Sequence, residues 1–231
     1  MSEVSNEYNE GKVLLIDKPL HWTSFDVVKK LKFALKVKKI GHAGTLDPLA
    51  TGLLILCTGK MTKSIEKYQA QEKEYTGEFT LGFTTPSYDL ETEPVFHSET
   101  SHLKLEDLHQ ATLPFVGEIE QTPPIFSAVK TGGKRAYSLA REGKEVKLKS
   151  RKVTISEFKI TDFQNNKMAF RVRCSKGTYI RSLAHDFGEK LGVGAFLSAL
   201  RRTKIGDFSV DDAENLNEFV KNNKVSTNDR P

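Results

Sequence analysis

The chain has 231 residues, of which 38% are hydrophobic and 28% charged, with a formal net charge of +5. This length accommodates one large domain or two small ones around a sizeable core, and the composition excludes a disordered or fibrous protein. No apolar run approaches a membrane span, and the polar, acidic start Met1-Ser2-Glu3-Val4-Ser5-Asn6-Glu7 is not a signal peptide, so a cytoplasmic protein is expected.

In chain order, residues 1–10 read as a disordered leader. Val13-Leu14-Leu15-Ile16 is a strand, and Thr23 opens a helix with Asp26 three residues on, as in a capping box. Phe25, Val28, Leu31 and Leu35 recur at helical spacing and form the expected inner face. Lys29, Lys30, Lys32, Lys36, Lys38 and Lys39 make a basic cluster on much of the other face. Residues 41–52 read Gly-His-Ala-Gly-Thr-Leu-Asp-Pro-Leu-Ala-Thr-Gly, a segment built to bend, with Pro48 stiffening the backbone beside the single carboxylate Asp47. The apolar run from Leu53 to Cys57 then reads as a buried strand.

Residues 61–70 are expected to be helical, and residues 74–83 alternate strictly, with Tyr75, Gly77, Phe79, Leu81 and Phe83 on one face of a half-buried strand. Residues 84–92 are turn-rich and carry Asp89, and residues 104–113 form a short amphipathic helix. Gln121-Thr122-Pro123-Pro124-Ile125-Phe126-Ser127-Ala128-Val129-Lys130 leads to a turn at Gly132-Gly133, then Lys134-Arg135-Ala136-Tyr137 and a helix ended by Gly143. From Lys130 to Lys152 nine Lys/Arg stand against two Glu, a charge pattern suited to a polyanion. Cations and a tyrosine on a glycine-hinged segment can grip nucleic-acid backbone and stack bases. Residues 153–163 and 168–174 form a hairpin across Gln164-Asn165-Asn166-Lys167. Ser175-Lys176-Gly177-Thr178 then caps a helix bearing Ile180, Leu183, Ala184, Phe187 and Leu191. A short strand over 204–210, a helix near 212–220 and a polar tail over 221–231 complete the expectation. Cys57 and Cys174 lie far apart in apolar stretches and read as buried free thiols; no metal-ligand cluster, P-loop or dinucleotide fingerprint is present in the sequence.

Five ordered motifs between about residues 11 and 210 resemble those of the TruB family of tRNA pseudouridine synthases. They are Lys18-Pro19-Leu20-His21-Trp22-Thr23-Ser24, where His21 stands for the family's usual Gly, the run 41–52, the Gln121–Lys130 signature, Cys174-Ser175-Lys176-Gly177-Thr178-Tyr179-Ile180-Arg181, and Leu200-Arg201-Arg202. The resemblance implies an α+β pseudouridine synthase fold with a mixed, mainly antiparallel central sheet flanked by helices. It implies isomerisation of the uridine at tRNA position 55, in the T-loop, with Asp47 as the catalytic carboxylate. Tyr75, in Lys73-Glu74-Tyr75, is implied to stack on the target base and take part in proton transfer.

Arg181 is expected to keep Asp47 ionised and oriented, since a cation at a helix start is otherwise poorly placed. A base inside a folded RNA loop must be flipped out, and His42, on the Asp47 loop, is expected to fill the vacated stack. Tyr179 and Leu200 are implied to line the uridine pocket. Lys18, Lys130, Lys134, Arg135 and Lys144 are expected on the RNA backbone. The expected organisation is a leader 1–10, a catalytic domain 11–220 with its basic RNA-contacting segment 123–152, and a tail 221–231, with no C-terminal PUA domain. The expected partner is the T-arm stem-loop of tRNA, bound by a monomer, with no membrane, metal or cofactor. The alternative is a non-catalytic RNA-binding or tRNA-folding protein on the same scaffold.

Overall fold

Alternating and helical apolar patterns set most elements where the sequence places them. The computed structural model describes residues 3–127, 129–131, 134–136 and 148–224. In chain order it has α1 (Glu3–Glu10), β1 (Val13–Lys18), α2 (Ser24–Ala34), β2 (Ile40–His42), β3 (Ala50–Thr58), a 3-10 turn (Gly59–Ser64), α3 (Ile65–Ala70) and β4 (Lys73–Leu81). There follow β5 (Phe83–Thr84), β6 (Val95–Phe96), α4 (Leu105–Thr112), β7 (Gly117–Gln121), β8 (Lys130–Thr131), β9 (Lys134–Arg135), β10 (Arg151–Gln164) and β11 (Lys167–Cys174). The chain ends with α5 (Ile180–Leu191), β12 (Ala195–Ile205), β13 (Phe208–Ser209), β14 (Glu214–Asn215) and α6 (Leu216–Asn223). No helix among the described residues is long and apolar enough to cross a membrane.

Contacts divide the expected single domain into two compact units, Met1–Tyr75 with Arg201–Pro231, and Thr76–Leu200. The first unit orders its strands β14-β1-β3-β12, with β2 beside β3 and β13 beside β12. Its β1–β14 pair is parallel and its β1–β3 pair antiparallel, so the sheet is mixed. The β3 run is buried on both faces because successive side chains point to opposite sides. Leu54 and Leu56 join Ile16, Val27, Leu31 and Leu35, while Leu53, Ile55 and Cys57 join Ala43 and Ile205. Helix α2 starts at the expected capping box: the Asp26 N–H donates to Thr23 Oγ1 at 3.0 Å and the Thr23 N–H donates to the Asp26 carboxylate at 3.1 Å.

The second unit orders its strands β12-β4-β11-β10-β7. The long hairpin β10–β11 and the pair β10–β7 are antiparallel. Phe79, Phe115, Phe158, Phe170 and Phe187 fill this unit's interior with tilted and edge-on ring contacts. Both cysteines are free and buried, as expected.

Four expectations change. Residues 3–10 form α1 rather than a disordered leader, because Tyr8 packs edge-on against Phe219 and its hydroxyl donates to Asn223 Oδ1 at 2.8 Å. Phe25 is 60% exposed, and Val27 takes the inward place given to it. The strand expected over 204–210 is instead the end of β12, followed by the short β13 across a turn. The last helix spans Leu216–Asn223 rather than 212–220, since Asn215 accepts from the N–H groups of Asn217 and Glu218 and so fixes its start.

Candidate active site

The loop that carries Asp47 is held on several sides within the first unit. Ser24 Oγ, from the first turn of α2, accepts from the Leu46 N–H at 2.8 Å and donates to the Leu46 carbonyl at 3.3 Å. The His21 N–H donates to the Pro48 carbonyl at 2.8 Å. His21 itself adopts φ +65°, which explains why the resembled motif carries Gly there. From β12 the guanidinium of Arg202, 1% exposed, donates to the carbonyls of Leu53 at 2.8 Å and Gly44 at 3.2 Å. Gly52 has no substitute at this junction: its φ is +104° and a Cβ would sit 2.3 Å from the Arg202 carbonyl oxygen. Asp47 therefore stands between anchored neighbours at 46 and 48. Replacing Ser24 by Ala is expected to cost about 1–3 kcal/mol of stability by orphaning the buried Leu46 N–H. Unfolding by urea should show that loss, and steady-state kinetics a kcat lowered about tenfold if the Asp47 carboxylate must be held in place to act.

Lys18, expected on the RNA backbone, is instead 0% exposed, and its ammonium donates to the carbonyls of Pro19 at 2.9 Å and Trp22 at 2.6 Å. A buried ammonium cannot grip phosphate from the surface; it ties the turn that carries His21. Burial lowers its pKa to about 8, and the Asp47 carboxylate is the strongest charge pulling it back up.

His42 ends β2 and is half-buried. Burial first, then the Arg202 guanidinium, lowers its pKa, against an upward pull from the Gly44 backbone. The unfolded chain therefore binds the imidazole proton more readily than the folded one. This group's contribution to stability is intact above about 6.5 and is lost as pH falls below that through the lowered folded value. Comparing wild type with His42→Gln by urea unfolding at pH 7 and pH 5 should show the wild type losing more stability on acidification.

Tyr75, 9% exposed, lies near the start of β4. Lys73, two residues before it, donates its ammonium to the carbonyls of Gln69 and, at 2.6 Å, Gln71, closing the end of α3.

In the second unit Arg181 occupies the first turn of α5 and is 4% exposed, so it is no surface cation. Its Nε lies 3.5 Å from the buried Asp89 carboxylate, and its Nη1 donates to the carbonyls of Phe126 at 2.9 Å and Ser87 at 3.4 Å. Phe126 belongs to the Gln121–Lys130 signature, and Asp89 to the turn-rich segment.

Tyr179 caps α5 and is clamped by Gln121: its N–H donates to Oε1 at 2.8 Å and its carbonyl accepts from Nε2 at 3.0 Å. Arg151 faces Gln121 across the β7–β10 pair, lies 4.7 Å over the Tyr179 ring and donates to the Gly177 carbonyl. Leu200 is half-buried on β12. Asp47, His42 and Tyr75 thus belong to the first unit, and Arg181, Tyr179 and Leu200 to the second.

On β8 and β9, Lys130 pairs with Arg135 and Thr131 with Lys134. The side chains of Lys130, Lys134 and Arg135 lie outside the described residues, as do Lys144, the Gly132-Gly133 turn and the helix expected before Gly143. The sequence reading missed the roles of Ser24, Gln121, Arg151 and Arg202. Ser24, Gln121 and Arg202 sit inside quoted motifs, so position could have flagged them; nothing in the pattern flags Arg151.

Solved structures share this architecture. A structure titled as a Cbf5-Nop10-Gar1 complex is 31% identical with a TM-score of 0.74, covering 95% of this chain and 56% of that one. One titled as an H/ACA RNP bound to a substrate RNA containing 2'-deoxyuridine is 28% identical with a TM-score of 0.71, covering 95% and 55%. The chain thus spans about half the length of these solved chains. Fold and motifs together define a pseudouridylate synthase. The sequence matches the TruB family pseudouridylate synthase N-terminal domain over residues 32–180 and the tRNA pseudouridylate synthase B C-terminal domain over residues 181–229. The chain belongs to the TruB family. Among its relatives, proteins named tRNA pseudouridine synthase B from Flavobacterium johnsoniae and Chloroherpeton thalassium are 56% and 51% identical. The alignments cover 92% and 91% of this chain, and 96% and 90% of those proteins.

Proposed function

We propose that the protein isomerises the uridine at tRNA position 55 to pseudouridine, with Asp47 as the nucleophile acting on a flipped-out base. The reaction breaks the N1–C1′ bond, turns the base and joins C5 to C1′; the C5 proton leaves and N1 gains one. Asp47 attacks either the pyrimidine C6 or, after elimination, C1′. Arg181 keeps that carboxylate ionised and oriented, and Tyr75 stacks on the base and takes part in the proton transfer. His42 fills the gap left in the RNA stack, and Tyr179 and Leu200 line the uridine pocket. Lys130, Lys134, Arg135 and Lys144 contact backbone phosphates of the T-arm. The observation that carries this reading is the anchored Asp47 loop, held from Ser24, His21 and Arg202. The names of the relatives support tRNA as the substrate.

Tritium release from C5-labelled uridine in a T-arm stem-loop tests the proposal, with a position-55 U→C transcript as control. Wild type should release the label and Asp47→Ala should not; equal release from both overturns the assigned nucleophile. The Tyr179 clamp supplies a finer test. Arg151→Leu removes the stacked guanidinium and its bond to the Gly177 carbonyl, and kcat/KM should fall about tenfold. Arg151→Lys should recover little, because an ammonium cannot reproduce the planar stack and fork.

A further inference from the structure

The outward face of α2 does not pack into the core. The helix turns Val27, Val28, Leu31 and Ala34 inward, yet Phe25 and Phe33 stand out in solvent, Phe33 at 81% exposure. His21, Trp22, Asp26, Lys29, Lys30 and Phe33 line a cleft of about 490 Å³ there. Positions 26, 29, 30 and 33 are spaced by three and four residues and share one helical stripe, and Trp22 lines the same cleft from just ahead of the helix start. Its cations already sit over rings: Lys29 Nζ is 4.9 Å from the Phe25 centroid and Lys30 Nζ 5.9 Å from that of Trp22. Asp26 is engaged at the helix start by the Thr23 N–H and hydroxyl. Lys32, Lys36, Lys38 and Lys39 add exposed positive charge along the same helix and the segment after it. The cleft shares its wall with the catalytic loop, since His21 donates to the Pro48 carbonyl.

The exposed Phe33 ring and the half-buried Trp22 ring, whose other side packs on the core, stand among lysines and suit a ligand that is both planar and anionic, which is the chemistry of an unpaired nucleotide. We propose that the α2 cleft is a second RNA-binding site: an unpaired nucleotide of the substrate tRNA, outside the target position, stacks on Trp22 and Phe33 while its phosphates meet Lys29 and Lys30. The inference rests on the reading above that the substrate is tRNA.

Filter binding of a full-length tRNA transcript across a salt series tests it. Phe33→Ala should raise Kd about five- to tenfold with little change in salt slope, because stacking is lost and charge is not. Lys29→Gln/Lys30→Gln should weaken binding and lower the slope of log K against log salt by about two. A charge-matched control, Lys159→Gln/Lys190→Gln, should do markedly less. Ultraviolet cross-linking should place RNA on the peptide that contains Trp22 and Phe33. Unchanged Kd in both cleft variants, or equal weakening by the control, overturns the proposal. So does a self-association seen by sedimentation that Phe33→Ala abolishes without altering RNA binding, which would make the face a contact between protein copies. Tritium release by the wild type reports on the substrate reading separately, so failure of the cleft leaves that reading intact.

Discussion

Asp47→Asn should lower kcat by at least about 10,000-fold while leaving the Kd for tRNA within a few-fold of wild type. The amide has nearly the shape of the carboxylate, so the loop should keep its path. Anchors at its neighbours also hold it: Leu46 on Ser24, Pro48 on His21, and Gly44 on Arg202. What the amide lacks is the charge and nucleophilicity of the carboxylate. Single-turnover kinetics with excess enzyme would separate the chemical step from binding. A second signature comes from Lys18, whose pKa is lowered to about 8 by burial and held up most strongly by Asp47. Removing that charge should move the Lys18 titration further down, which heteronuclear NMR of the ammonium would follow. A kcat within tenfold of wild type would refute the nucleophile.

The sequence made the family and its motifs legible and the scaffolding around them opaque. Asp47 stood out because the whole run 41–52 resembles the family's catalytic motif, whereas an Asp-Pro pair alone reads as a turn. Arg181 stood out because a cation opens a helix. The supports were hidden, since they act through main-chain groups that no side-chain pattern reports. Ser24 reads as a helix-start serine, yet it holds Leu46 across 22 residues. Gln121 reads as a strand end, yet it brackets the backbone of Tyr179 58 residues on. Helix spacing also misjudged Phe25, because Phe25 and Val27 both fit a stripe with Val28 and Leu31, and only packing shows that Val27 faces inward. The short helix α1 was unreadable for a similar reason: Tyr8 docks on α6 and Asn9 accepts from the Lys38 N–H, contacts that the segment's polar composition does not report.

Arg181→Met should abolish most activity, lowering kcat about 1,000-fold, and should also destabilise the fold. The guanidinium is enclosed by the Asp89 carboxylate and the carbonyls of Phe126 and Ser87. Removing it leaves a carboxylate that is only 5% exposed with the Glu91 N–H on its Oδ1 but without the guanidinium. Breaking one side of a buried pair costs about 3–5 kcal/mol. Burial without the cation favours the protonated form of a carboxyl group, so the deficit should shrink as pH is lowered from 7 to 5. These two losses have different origins, and a double variant separates them. Arg181→Met/Asp89→Leu removes both charges and should regain much of the stability, because paired apolar replacements in a buried ion-pair site are often tolerated. It should regain none of the activity if the guanidinium acts on the Asp47 carboxylate in the reacting complex. Recovery of turnover together with stability would show that Arg181 only holds α5 against the Asp89 segment.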